Sequence, residues 1–161
     1  MDNALLKKDR MRYVKNKTSA NLAYLAIIFN VLYFVSIYSS DVGEFYYSIK
    51  IGVSVVYNLL FLLTVFLSSE GLKSYKKSYA IIIAVVGALQ IVRIFGYPME
   101  GAKTVLENGE KVMQTSQVVY TIVMLSLSAA AAIASGVIGI IRTTMLEKYQ
   151  ASLPEESKQP H

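Results

Sequence analysis

The sequence contains no cysteine and no tryptophan, and its only histidine is the last residue, His161. The absence of cysteine excludes disulfides, thiolate metal sites, cysteine nucleophiles and acylation of cysteine. A single histidine at a chain end is a poor metal ligand or general base, and without a histidine the serines cannot form a Ser-His-Asp triad. Most of the residue combinations used by enzymes and metalloproteins are therefore missing.

Charged residues are also scarce, at 17% of the chain, against about 25% in ordinary soluble domains. We expect all eleven acids to lie in loops or termini, whereas proton-coupled carriers usually place an Asp, Glu or His at membrane depth. The sequence shows neither a metal-ligand cluster nor a glycine-rich phosphate loop. We therefore expect no enzymatic activity, no cofactor and no bound metal.

Apolar residues are abundant, at 54% of the chain, and they fall into blocks. Blocks of about 20 residues are long enough to cross roughly 30 Å of hydrocarbon as helices, and the alternating strands of a membrane barrel are absent. We predict an all-α integral membrane protein with four transmembrane helices in an up-down antiparallel bundle. The predicted parts are a basic arm (1–19), a transmembrane domain (20–142) with spans at 21–39, 51–69, 79–97 and 118–141, and a tail (143–161).

The distribution of Lys and Arg predicts how the bundle is oriented. The arm carries six of them, the connection between spans two and three carries three, and three more follow the fourth span (Arg142, Lys148 and Lys158), whereas the opposite side has only Lys50, Lys103 and Lys111. Because basic residues accumulate on the cytoplasmic side, we expect both termini to be cytoplasmic. The expected location is a bacterial cytoplasmic membrane, that is, the cell inner membrane.

The basic arm has two interpretations that the sequence leaves open. It is either a surface helix attracted to anionic lipid headgroups or an arm that only sets the topology and touches nothing specific. Membrane lipid is thus the expected partner of this segment. The net charge of +5 follows the membrane topology, and no nucleic-acid partner is expected.

The predicted outer loop, 98–117, contains Asn108-Gly109 between two short mixed runs. Asn-Gly is the strongest two-residue hairpin signal because both turn positions need a positive φ. A hairpin of this kind would place Val105 opposite Val112 and would need the bundle or a partner for support. The alternative is a helix broken at Gly109.

Several polar residues lie inside the first two predicted spans. Asn30 and Asn58 are near the span centres, and antiparallel helices would bring them to a similar depth. Tyr33 lies three residues after Asn30, and Ser54, Tyr57 and Asn58 share one helical face. Either a hydrogen bond between the asparagines holds the two helices together, or these residues line a pathway or bind a ligand or partner.

The fourth predicted span carries a stripe of small and weakly polar residues at helical spacing. Small residues allow another helix to approach closely, so this stripe predicts a packing face whose partner is in the same chain or in another one. The residues of this face are Thr121, Ser128, Ala132, Ser135, Gly136 and Gly139.

The third predicted span includes a cation, Arg93, flanked by Gln90 one turn before and Tyr97 one turn after. Arginine inside a span is a functional candidate by default. One interpretation is structural: Arg93 binds the free carbonyls of the helix end and an outer acid, namely Asp41, Glu44 or Glu100. The other is that Arg93, Gln90 and Tyr97 contact a ligand or a partner.

Two functions are compatible with these features. The first is a non-catalytic accessory, scaffold or regulatory subunit of a membrane complex, either with a partner subunit or as a homo-oligomer. The second is a small oligomeric transporter or channel for a polar or anionic solute, in which the polar residues of the spans line a route.

Overall fold

A computed structural model describes residues 3–38, 45–107 and 109–154 of the chain. The protein is all-helical, with 82% helix, and four of its helices are long and apolar enough to cross a membrane. The helices are α1 (Asn3–Arg10), α2 (Lys17–Tyr38), α3 (Phe45–Lys73), α4 (Lys77–Ile94), α5 (Tyr97–Lys103) and α6 (Thr115–Ala151).

Helix α4 is shorter than the predicted third span. It ends at Ile94, because the backbone leaves helical geometry at Gly96, with ψ of −120°, before a new helix starts at Tyr97 with proline in its first turn. The prediction of one helix through Tyr97 was therefore wrong. Arg93 consequently lies in the last turn of α4.

Helices α3 and α6 are longer than the predicted spans. Helix α3 continues to Lys73, so Glu70 is helical, and it accepts hydrogen bonds from Lys73 and Tyr24. Helix α6 continues to Ala151, so its 37 residues measure about 56 Å and include Glu147. The expectation that all acids lie in loops or termini was wrong for these two residues and for Glu100, which lies in α5.

Side-chain contacts establish the directions of the long helices. Ser135 of α6 donates a hydrogen bond to the carbonyl of Ser19 near the start of α2, whereas Thr121 of α6 lies 3.1 Å from the Ser36 hydroxyl near the end of α2. Helices α2 and α6 therefore run antiparallel. Helix α6 packs mainly against α2 and α4, and α3 packs against the same two helices.

The predicted packing face on α6, which we call the α6 seam, is buried in the chain. A Cβ atom added to Gly136 would come within 2.7 Å of the Ala80 carbonyl oxygen of α4, and one added to Gly87 of α4 would come within 2.9 Å of the Ala132 Cβ. These contacts run antiparallel and require small side chains on both helices. The sequence left open whether the helix that packs on this face belongs to the same chain or to another one. In the structure, α4 of the same chain packs on it.

An apolar cluster occupies the middle of the bundle. Ala23, Phe61, Val65, Ile83 and Ala132 belong to it, and each is at most 2% exposed. Towards one end it is followed by polar side chains around Arg93, and towards the other by a polar network around Asn16 and Arg142. Two sets of polar groups thus flank the apolar cluster, and further buried hydroxyls, such as that of Ser128, lie along the α6 seam.

The loop after α5 folds back at Gly109, whose φ is +84°. The Leu106 amide donates to the Glu110 carbonyl at 2.7 Å, and Val105 pairs with Lys111 in an antiparallel bridge. The turn is therefore a three-residue loop, 107–109, with its last residue in the left-handed region, which is the other common hairpin geometry.

The predicted pairing of Val105 with Val112 was wrong by one residue, because a two-residue turn had been assumed. Asn108 itself lies outside the described residues. The returning segment is supported by the bundle: Met113 is fully buried, and its amide donates to the Gly101 carbonyl of α5.

Candidate functional site

Arg93 is held among three helices. As predicted for a helical side chain, it leans back towards the start of its own helix, and its Nη1 donates to Gln90 Oε1 at 2.8 Å. The same nitrogen donates to Asn58 Oδ1 of α3 at 3.0 Å. Nη2 donates to the hydroxyl oxygens of Tyr33 on α2 and Ser54 on α3, each at 3.3 Å.

Two tyrosine rings complete the surroundings of the guanidinium. The Arg93 Cζ lies 4.8 Å from the centroid of the Tyr33 ring and 4.3 Å from that of Tyr57. Both distances are within the range of a cation–π interaction, which is strengthened where the cation is removed from water. We call Asn30, Tyr33, Ser54, Tyr57, Asn58, Gln90 and Arg93 together the Arg93 cluster.

The two asparagines do not pair with each other as expected. Instead, Gln90 Nε2 donates to Asn30 Oδ1 at 2.8 Å, and Asn58 accepts from Arg93. Both asparagines thus turn their carbonyl oxygen towards α4. The expected asparagine–asparagine bond does not form, because α4 presents a donor to each of the two carbonyl oxygens at this level.

Among the described residues, the side-chain amide nitrogens of Asn30 and Asn58 have no acceptor. Asn30 and Asn58 are 0% and 1% exposed, and the Nδ2 atom of each is buried without a hydrogen-bond partner. A buried donor without an acceptor costs roughly 1–3 kcal/mol. The Arg93 cluster therefore combines a cation with surplus N–H donors.

The partners predicted for Arg93 differ from those observed. Among the described residues, neutral side-chain oxygens accept its hydrogen bonds, and neither helix-end carbonyls nor Glu100 do so. Glu100 pairs instead with Lys50 of α3. Asp41 and Glu44 lie outside the described residues, as does the side chain of Tyr97, so the predicted strip from Gln90 to Tyr97 is described only up to Arg93.

A cleft of about 310 Å³ opens on the guanidinium and is called the Arg93 cleft. Arg93, Tyr33, Ser54 and Tyr57 line it on the polar side. Its remaining lining consists of the Lys50–Glu100 pair, Gly96, and the apolar side chains of Ile49 and Val53. Arg93 is thus partly buried but open to an occupant of this cleft.

The electrostatics of the cleft favour an anion. The Lys50–Glu100 pair cancels its own charge, and within 3–38, 45–107 and 109–154 no carboxylate is bonded to Arg93. Placing a cation away from water costs several kcal/mol unless it is paired. The site is therefore suited to binding a carboxylate or another small anion through charge-assisted hydrogen bonds.

Sequence reasoning identified Arg93, Gln90, Asn30, Asn58, Tyr33 and Tyr57 one by one, and the structure brings all six together. It did not identify the Lys50–Glu100 pair beside them, because nothing in the sequence relates these residues across a separation of 50 positions. The signal that worked was polarity within apolar blocks.

In the residues that the structure describes, no group of three or more His, Cys, Asp or Glu residues could hold a metal ion. Comparison of the chain with protein-family models, with curated proteins and with solved structures gives no match. What the protein does must therefore be argued from its geometry.

Proposed function

We propose that the protein is a non-catalytic accessory subunit of a membrane complex and that the Arg93 cleft receives a carboxylate from a membrane span of its partner. The observation that carries the proposal is the donor surplus around Arg93. A guanidinium and two amide groups face only neutral acceptors or none among the described residues. A carboxylate offers only acceptors and a negative charge, which is what such a set lacks.

The depth of the site supports a carboxylate carried by protein. Asn58, the α3 partner of the guanidinium, lies two residues, about 3 Å, from the midpoint of the predicted span 51–69. The cleft extends from this level to Lys50 and Glu100, outside the predicted spans, so an Asp or Glu in the last turns of a partner helix lies within its reach. Acids in spans are rare and pair with other charges.

The surface of α3 beside the cleft supports a helical partner. A groove of about 460 Å³ adjoins the cleft and is lined by Ile49, Gly52, Val53 and Val56. A Cβ added to Gly52 would meet nothing within 4 Å, so packing inside the chain does not require this glycine. Small residues on a span surface allow close helix approach, and here one lies next to a cation that pairs with no acid in the described part of the chain.

The alternative function, an oligomeric transporter or channel for a polar or anionic solute, requires a continuous polar route. Within one chain, the apolar cluster with Phe61 and Ile83 lies between the two polar sets. This favours the accessory subunit over a route through a single chain. A route between several chains remains the second prediction.

The proposal includes an integral membrane location, in a bacterial inner membrane, with both termini cytoplasmic. Because the chain has no cysteine, single cysteines introduced at Lys111 and Lys148 can be labelled without background. A membrane-impermeant thiol reagent added to intact cells should label Lys111→Cys and spare Lys148→Cys until the membrane is opened. The reverse pattern would invert the proposed orientation.

The function is tested by purifying the tagged full chain from its native membranes in mild detergent. Wild type should retain a stoichiometric membrane protein that Arg93→Gln loses, because removing one partner of a buried charge pair costs about 2–5 kcal/mol of association. That cost is at least about a thirtyfold loss of affinity. Arg142→Gln is the matched control, since Arg142 also lies in a long helix and bonds to an asparagine.

Charge reversal identifies the contact. Arg93→Glu combined with Arg in place of the partner's intramembrane acid should restore the complex. Retention of the partner by Arg93→Gln, or its equal loss in Arg142→Gln, would disprove the docking role. A stable homo-oligomer that leaks solute from liposomes would support the transporter instead, and Arg93-dependent retention of anionic lipid without any protein would assign the cleft to lipid.

A further inference from the structure

A second cleft, of about 420 Å³, lies at the end of the bundle where α1 is found. We call it the basic cleft, because five of its lining side chains are cations that come from α1, the segment before α2, the start of α2, and α6. These are Lys7, Arg10, Lys15, Lys17 and Arg142. The residues converge from positions up to 135 apart in the sequence, so the cleft exists only in the folded chain.

The acids at this end of the bundle form their ion pairs with other cations, although Glu70 is also close enough to Lys15 for an electrostatic attraction. Arg12 pairs with Asp9, and Lys73 pairs with Glu70. Neither acid lines the basic cleft, and across 3–38, 45–107 and 109–154 none of its five cations forms an ion pair. Five like charges around one cleft repel one another, and a multivalent anion would relieve that repulsion.

Arg142 is held in place by a buried network. Its Nη1 donates to Asn16 Oδ1 at 2.9 Å, and Asn16 is fully buried. The Asn16 amide donates to the Lys73 carbonyl at 3.1 Å, and its side-chain nitrogen donates to the Ser19 hydroxyl at 2.9 Å. This guanidinium is therefore a preorganised part of the cleft lining, unlike a freely moving surface lysine.

Tyr75 contributes a hydroxyl from the turn between α3 and α4. Its φ of +54° lies in the left-handed region, where a helix usually ends with glycine because a side chain is unfavourable there. Despite that cost, a tyrosine occupies this position and lines the cleft. Burial raises the pKa of the Tyr75 hydroxyl, although nearby Arg142 opposes the rise, so at neutral pH the group is a protonated donor.

We propose that the basic cleft binds a phosphate group, belonging either to a phospholipid headgroup or to a soluble phosphate compound. Phosphate offers several acceptor oxygens to the guanidinium of Arg142, to the lysines, and to the hydroxyls of Tyr75 and Thr18. Met11 and Val14 add an apolar flank. This site lies at the opposite end of the bundle from the Arg93 cleft and does not depend on its partner.

Two charge-matched double variants test the site. Lys7→Gln/Lys15→Gln removes two cations from the cleft lining, whereas Lys8→Gln/Lys148→Gln removes two cations that do not line it. Both pairs change the net charge equally and involve side chains outside the bundle core. Arg142→Gln forms a third variant, and circular dichroism of each confirms that the fold is retained.

The purified full chain is titrated with phosphatidylglycerol and, separately, with phosphatidylcholine, with bound lipid counted by native mass spectrometry. Inorganic phosphate is titrated in parallel by calorimetry. Preferential binding of phosphatidylglycerol, weakened about tenfold in Lys7→Gln/Lys15→Gln but unchanged in Lys8→Gln/Lys148→Gln, would support the cleft with a lipid source. Binding of inorganic phosphate with the same dependence would support it with a soluble source.

Two outcomes would overturn the proposal. Equal weakening by both double variants would mean that diffuse surface charge, and not the cleft, attracts the anion. The absence of measurable binding of phosphatidylglycerol and of phosphate to the wild type would mean that the cations serve only to orient the chain. Neither outcome bears on the partner of Arg93, which is tested separately by co-purification.

Discussion

The α6 seam and the Arg93 cluster both place polar or small residues inside apolar helices, but their hydrogen bonds are arranged differently. At the seam, Ser128 and Ser135 donate to the carbonyls of Ala26 and Ser19 in α2. At the cluster, the described residues offer no acceptor to two buried amide nitrogens and only neutral partners to a cation. The hydrogen bonds of the seam are thus satisfied within the chain, whereas no described residue supplies an anion to the cluster.

The two regions also differ in how closely their helices approach. Gly136 at the seam leaves no room for a side chain, whereas Gly52 beside the Arg93 cleft has open space around it. Changes at the seam should therefore lower folding stability. Changes on the surface beside the cleft, as at Gly52, should affect association and leave the monomer stable, whereas the hydrogen bonds inside the cluster also contribute to folding. Three predictions test this division.

The largest expected effect is that of Gly136→Val. Its side chain would collide with the Ala80 backbone and Ala84 of α4, and overpacking of this kind costs about 3 kcal/mol. Gly52→Val is the matched control, and it should change stability by no more than about 0.5 kcal/mol. The free energies of unfolding of both variants are measured in detergent micelles by steric trapping. Equal losses of stability at both glycines would contradict the difference between the seam and the surface beside the cleft.

The second effect concerns the hydrogen bonds within the Arg93 cluster. Arg93→Leu should leave insertion and topology intact but lower the free energy of unfolding by about 2 kcal/mol, because Asn58 and Gln90 lose the donor that they accept from. Adding Asn58→Leu removes both the Asn58 carbonyl oxygen, which has lost its donor, and the Asn58 amide nitrogen, which has no acceptor among the described residues. The double variant should then be no less stable than Arg93→Leu alone, and strictly additive losses would show that the residues act independently.

The smallest effect separates hydrogen bonds between helices from those within one helix. Ser128→Ala breaks the bond to the Ala26 carbonyl of α2 and should cost about 0.6 kcal/mol, the average for such bonds in membrane bundles. Ser126→Ala, two residues away, breaks only a bond to the Ile122 carbonyl of its own helix and should cost almost nothing. If Ser126→Ala proves the more costly in the same unfolding assay, the seam does not act as described.

Much of the fold could be predicted from the sequence, because hydropathy and length decide which segments form long apolar helices. The small residues on α6 could likewise be recognised as a packing face from their spacing. Helix ends were less predictable. The end of α4 at Ile94 depends on the backbone at Gly96, and the extension of α6 to Ala151 continues through polar residues that a hydropathy pattern does not include.

The candidate site was predictable as a set of residues but not as an arrangement. Arg93 and Asn58 stood out because polar groups are rare inside apolar blocks. Which of them would bond together depended on the rotation of three helices about their axes, and a residue's direction changes by about 100° with each position along a helix. The expected asparagine pair was therefore replaced by bonds to α4, and Glu100 pairs with Lys50 and not with Arg93.

The sequence by itself determined that this protein has four long apolar helices, a basic bias towards one end, no cysteine and a single histidine, since these properties depend on composition and on local order along the chain. Only the tertiary structure decided that α6 packs inside the same chain, that Arg93 meets neutral acceptors beside a cleft, and that five cations surround another cleft at the opposite end. These features depend on contacts between residues tens of positions apart, which form only when the helices pack.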